Sequence, residues 1–71
     1  MKEAATIEVN GHPVELRSEA LGELLEELGY ATATRGIAVA VNGEVVPRQR
    51  WEFRLLKAGD RVDIVGAVQG G

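Results

Sequence analysis

The chain has 71 residues, 45% of them hydrophobic and 27% charged, with a net charge of −3 and no cysteine. One domain of this size lies near the limit at which a single hydrophobic core suffices, and it leaves no room for an active-site cleft besides. Disulfide staples, cysteine-ligated zinc and a thiol nucleophile are excluded, and the acidic balance argues against a nucleic-acid surface, which needs clustered basic residues.

Met1-Lys2-Glu3 begins no signal peptide, and the longest apolar run is too short to cross a bilayer, so cytoplasm is the expected compartment. Thr6-Ile7-Glu8-Val9 and Pro13-Val14-Glu15-Leu16-Arg17 alternate polar and apolar residues around Asn10-Gly11, which predicts a β-hairpin with Ile7, Val9, Val14 and Leu16 on one face. His12 beside the turn has no second histidine or cysteine to share a metal with, and reads as a solvated turn residue.

Ser18 is placed to cap a helix whose Leu21, Leu24, Leu25 and Leu28 follow the i, i+3, i+4, i+7 spacing of one buried stripe. Glu19 suits the positive end of the helix dipole and Gly29 its C-terminal stop. Gly22 is a flaw that costs roughly 1 kcal/mol against alanine in a helix interior. Glu23, Glu26 and Glu27 give a solvated acidic face.

Residues 30–36 show no period and read as a connection. Ile37, Val39 and Val41 alternate with alanines as a strand, Asn42-Gly43 turns it, and Glu44-Val45-Val46-Pro47 reads as a short edge strand because proline removes a ladder donor. Residues 48–56 read as a short helical turn and loop laid over the end of the core. Arg48, Arg50 and Arg54 beside Trp51 and Phe53 are the residue types of a nucleic-acid stacking patch, yet the only tryptophan of so small a domain serves better as core filling, with arginine stems at its rim. Ala58-Gly59-Asp60 turns into a last alternating strand, Arg61-Val62-Asp63-Ile64-Val65.

Hairpin, helix, strand, edge strand and final strand form the order of an α+β, ubiquitin-like β-grasp domain: a mixed sheet of four to five strands around one main helix, with the last strand beside the first. The body is expected over residues 1–65 and a flexible tail over 66–71. Six residues reach roughly 20 Å at ~3.3 Å each, and the final pair, Gly70-Gly71, has no Cβ to obstruct passage through a narrow channel. A terminal carboxylate is a stabilised anion, so chemistry there requires another protein to activate it.

Val41-Asn42-Gly43, Val46-Pro47-Arg48 with Trp51 three positions on, Gly59-Asp60-Arg61-Val62 and the terminal Gly70-Gly71 together resemble the ThiS family of sulfur carriers in thiamine biosynthesis. The related small subunit of molybdopterin synthase, MoaD, shares fold and ending but is not expected to carry the proline-arginine-tryptophan arrangement. The resemblance implies that a ThiF-like enzyme consumes ATP to adenylate Gly71, that a sulfurtransferase or persulfide source converts it to a thiocarboxylate, and that the sulfur passes to a ThiG-like thiazole synthase. Gly70 is then the residue that must be small for entry, and Val68, Val46, Pro47 and Arg48 are candidate partner contacts. Sulfur donation to molybdopterin and ubiquitin-like attachment to lysines are the alternative uses of the same terminus. No residue supplies acid-base, nucleophilic or metal chemistry, no cofactor is expected to bind, and neither nucleic acid nor membrane is an expected partner, so the chain reads as a substrate of enzymes and not as an enzyme.

Overall fold

A computed structural model describes residues 5–30 and 36–66. Among these residues five strands, β1 (Thr6–Val9), β2 (His12–Glu15), β3 (Ile37–Val41), β4 (Glu44–Val45) and β5 (Arg61–Gly66), join in one sheet of order β2-β1-β5-β3-β4. Strand β5 runs parallel to β1 and antiparallel to β3, while β1 with β2 and β3 with β4 are antiparallel hairpins. This is the mixed five-stranded sheet of a ubiquitin-like β-grasp, with the helix α1 (Leu21–Glu27) connecting β2 to β3. The predicted edge position of the Glu44 strand holds, although its paired part is only two residues long.

Both hairpins close through two-residue turns in which each central residue has positive φ: Asn10 at 52° and Gly11 at 84°, Asn42 at 54° and Gly43 at 85°. This is the turn whose twist matches that of the flanking strands, and Asn-Gly adopts it with least strain. The resulting register puts Ile7 opposite Val14 and aims Ile7, Val9, Val39, Val41, Val62 and Ile64 at α1, where they pack with Leu21, Leu24 and Leu25. Val14 and Leu16 are partly buried against the same cluster. Burying each such aliphatic side chain contributes about 1.5–3 kcal/mol.

The helix begins differently from the sequence-based expectation. Ala20, not Ser18, is the N-cap, in an extended conformation and without a side-chain capping bond, and Ser18 is buried two residues earlier. The reason is that residues 51–56 supply the cap. Leu21 N donates to the Arg54 carbonyl at 2.8 Å, Gly22 N to that of Trp51 at 2.9 Å, and Leu56 N to that of Glu19 at 2.9 Å, with a strand-like bridge between Ala20 and Leu55. Orphan helix donors are thus satisfied by backbone carbonyls. Glu23 Oε1 accepts the N–H of Glu19, the residue before the N-cap, at 3.3 Å.

The other end follows expectation. Gly29 sits at φ 96°, Tyr30 N donates to Leu25 O and Gly29 N to Glu26 O, the paired bonds of a Schellman stop. The predicted stripe is shortened there, because Leu28 falls on the C-cap and is 37% exposed.

Gly22 is buried at the contact between α1 and residues 51–52. A Cβ added there meets Trp51 O at 3.5 Å and Glu52 Cα at 3.6 Å, which is ordinary van der Waals contact. Gly22→Ala should therefore gain up to about 1 kcal/mol in urea denaturation from helix propensity. Gly22→Leu, whose branches enter that backbone, should lose about 1–3 kcal/mol by the same measurement.

Candidate functional site

The chemistry expected of this chain lies at Gly71, and Val68, Gly70 and Gly71 fall outside the described residues. The structure shows the body that would carry them. The strand that leads to the tail, β5, is the central strand of the sheet, and it runs one residue further than the expected body: Gly66 pairs with Ile37.

The start and middle of β5 are held by side chains from both hairpin turns. Beside β1, Glu8 N donates to Asp60 O and Asn10 N to Val62 O; there the backbone swings into its turn, and the next bond, from Ile64 N, goes to Asn10 Oδ1 at 2.7 Å. Beside β3, Asn42 N donates to Arg61 O at 2.7 Å while Arg61 N donates to Asn42 Oδ1 at 2.9 Å. On each edge an asparagine amide replaces the main-chain carbonyl that the turn has withdrawn, so each ladder gains one more rung. Asparagine suits this double duty because it tolerates positive φ and its short side chain carries a carbonyl.

Asp60 completes the brace. It is 2% exposed, and its Oδ1 accepts from Asn42 Nδ2 at 3.0 Å and Lys57 Nζ at 3.0 Å, while Oδ2 accepts the Lys57 N–H at 2.9 Å. Burial by itself pushes the carboxyl pKa up; the hydrogen bonds from Asn42 and Lys57, aided by the Lys57 charge, outweigh it and hold the group below its ordinary value of 3.8.

Val46, Pro47 and Arg48 separate into two kinds of position. Val46 is buried, its N–H donates to Val39 O, and its carbonyl accepts the Trp51 indole N–H at 2.9 Å. Pro47, at φ −60°, opens the 3₁₀ turn Arg48–Arg50, whose first carbonyl accepts Trp51 N. Val46 and Pro47 therefore shape the loop that seats Trp51, which is 4% exposed and joins the core as expected. The side chains of Pro47 and Arg48 are exposed. Phe53, by contrast, stands 75% exposed away from that core.

Two of the motifs that carry the resemblance thus meet in space. The Val-Asn-Gly and Gly-Asp-Arg-Val segments bond to each other through Asn42, Asp60 and Arg61, and the Val-Pro-Arg-x-x-Trp segment closes on itself through Val46 and Trp51. Sequence reasoning identifies Asn10 and Asn42 only as turn formers and Asp60 only as part of a turn. Their second role has one sequence signal, the repetition of Asn-Gly after a strand of like pattern. Among the described residues no cluster of three metal-binding side chains exists, and no helix is long and apolar enough to cross a membrane.

One helix packed on a mixed five-stranded sheet of this order defines the class of ubiquitin-like β-grasp proteins. The ThiS family model matches residues 4–71, and the chain belongs to the ThiS family. It is 38% identical over 63 residues to the sulfur carrier protein ThiS of Thermus thermophilus, covering 89% of this chain and 95% of that protein. Against the sulfur carrier protein ThiS of Escherichia coli it is 37% identical over 49 residues, covering 69% and 71%. The crystal structure of the thiamine biosynthesis protein ThiS from Geobacter metallireducens superposes with a TM-score of 0.77 at 32% identity, covering 93% of this chain and 99% of that one. Family membership makes the chain a carrier protein and not an enzyme.

Asp60→Asn offers one acceptor and one misplaced donor to three donors. At pH 7 it should destabilise the domain by about 1.5–3 kcal/mol. Because the folded carboxyl titrates below 3.8, its contribution is complete above that pH and is lost as pH falls through the folded value. Urea midpoints of wild type and Asp60→Asn should accordingly differ at neutral pH and converge in acid.

Proposed function

We propose that this chain carries sulfur as a thiocarboxylate on Gly71 for assembly of the thiazole ring of thiamine. The supporting observation is that the family match runs through Gly71, and that relatives of this length are named sulfur carrier and thiamine biosynthesis proteins. A carboxylate oxygen of Gly71 attacks the α-phosphorus of ATP in a ThiF-like adenylating enzyme, forming an acyl-adenylate and releasing pyrophosphate. The terminal sulfur of a persulfide, presented by a sulfurtransferase, then attacks the acyl carbon and expels AMP. A second thiol attacks the resulting acyl disulfide, takes up the donor sulfur as a disulfide and releases the thiocarboxylate. That sulfur is the nucleophile handed to a ThiG-like thiazole synthase, after which hydrolysis or displacement restores the carboxylate.

The body's part is positional. With Gly66 held in the sheet opposite Ile37, the five residues beyond it reach at most roughly 17 Å, so the partner's catalytic pocket must open close to that end of β5. Gly70 and Gly71 keep the path free of side chains.

Incubation of the carrier with ATP, the adenylating enzyme and a persulfide donor should replace one terminal oxygen by sulfur in the intact mass. Gly71→Val should lose that product while its thermal midpoint stays at the wild-type value. Formation of lysine conjugates in place of the thiocarboxylate, or no change in mass with competent partners, would refute the proposal.

A further inference from the structure

The β4 edge of the sheet carries a feature that the proposed sulfur chemistry does not use. Beside β4 lies a groove of about 440 Å³ lined by Glu44, Val45, Val46, Pro47, Phe53, Arg50 and Arg54, so that two cations face one carboxylate. Strand β4 is the outermost strand, with no neighbour on that side among the described residues. In the β3–β4 hairpin the two-residue turn makes Val41–Glu44 the first hydrogen-bonded pair, and Val46 N reaches Val39 O at 2.8 Å as the next. The intervening residue, Val45, must by the alternation of an antiparallel ladder turn its N–H and C=O outward to the open edge.

Two further features stand beside that edge. Val45 is 70% exposed and Phe53 75% exposed, large apolar surfaces that neither core nor helix covers. Among the described residues neither Arg50 nor Arg54 pairs with a carboxylate; Arg54 Nη1 donates only to the Leu55 carbonyl. Glu23, Glu26 and Glu27 make a separate acidic face on the helix, while among the described residues Glu44 is the one carboxylate lining the groove.

We infer that this groove docks an extended, acidic segment of a partner protein, which adds a strand to β4 at Val45, seats an apolar side chain against Phe53 and Pro47, and places carboxylates on Arg50 and Arg54. Main-chain bonds to a sheet edge give such a segment its register, and alternate side chains give it specificity. A single-stranded nucleic acid fits less well. It has no peptide donor and acceptor to match the Val45 pair and finds one exposed aromatic ring where a stacking platform offers several. The contact is small, so binding is weak and quickly reversible, with Kd on the order of 100 µM. This surface does not depend on what Gly71 carries.

The test is titration of the full chain, labelled for amide NMR, with a synthetic peptide of alternating glutamate and valine. Amide shifts confined to residues 44–54, with Val45 N–H gaining protection from exchange, are expected. Arg50→Glu with Arg54→Glu should weaken binding about tenfold, two exposed charges each being reversed, and Phe53→Ala should weaken it about as much while leaving the thermal midpoint unchanged. Val45→Pro, which removes the outward N–H at an edge position, should weaken peptide binding by a comparable factor. A lysine-valine peptide should not bind. The inference is overturned by no shifts at millimolar peptide, by shifts centred on another face, by equal binding of the basic peptide, or by tighter binding of oligo(dT) at the same residues.

Discussion

The fold turns on how β5 is kept in the middle of the sheet. A central strand needs rungs on both edges, yet here its neighbours β1 and β3 each run only a few residues before turning away. Asn10 and Asn42 answer the same geometric problem in the same manner. Each supplies the positive-φ conformation that the turn demands and a side-chain carbonyl in place of the one that the turn removes, to Ile64 N and Arg61 N respectively. Asp60, buried at the mouth of the strand, ties Asn42 and Lys57 to the same point. In a domain whose apolar core is small, polar bonds made to one strand matter more than they would in a larger protein.

That arrangement connects fold to function. On the proposed function, the last strand must stay in place while partner enzymes work on the residues beyond it. The brace grips β5 at Arg61 and Ile64, and the sheet holds it up to Gly66. Exposed apolar surface at Val45 and Phe53 lies at the β4 edge, where Val45 pairs with Ala40 and Ala40 in turn with Asp63 of β5.

Much of this is legible in the residues. Period-two alternation and the two Asn-Gly pairs define both hairpins in their observed register, because an Asn-Gly turn admits few other geometries. The leucine spacing marks α1, and the lone tryptophan belongs in the core for its volume. Local pattern does not reveal who satisfies whom across long separations. Ser18 resembles a cap because capping is usually local; the true partners of the helix N–H groups are carbonyls about thirty residues away, at Trp51 and Arg54. For the same reason Asp60 reads as an ordinary turn residue, and its burial emerges only once Asn42 and Lys57 close over it. The segment around Phe53 reads as laid over the core, yet Phe53 itself stands in solvent, since Trp51 already occupies the space beneath residues 48–56. The residues that resemble the family pattern prove to be mostly these long-range structural partners.

The central claim is that side chains from the two turns hold β5 as firmly as main-chain pairing holds it elsewhere. Native-state amide hydrogen exchange tests this directly at Ile64 and Arg61, whose N–H groups end on Asn10 and Asn42. Both amides should exchange only through global unfolding, with protection equal to the whole-domain stability, and Asn10→Ala should lower the protection of Ile64 well beyond its effect on that stability. Exchange of Ile64 by a low-energy local opening in the wild type, or protection of Ile64 unaltered in Asn10→Ala, would contradict the account.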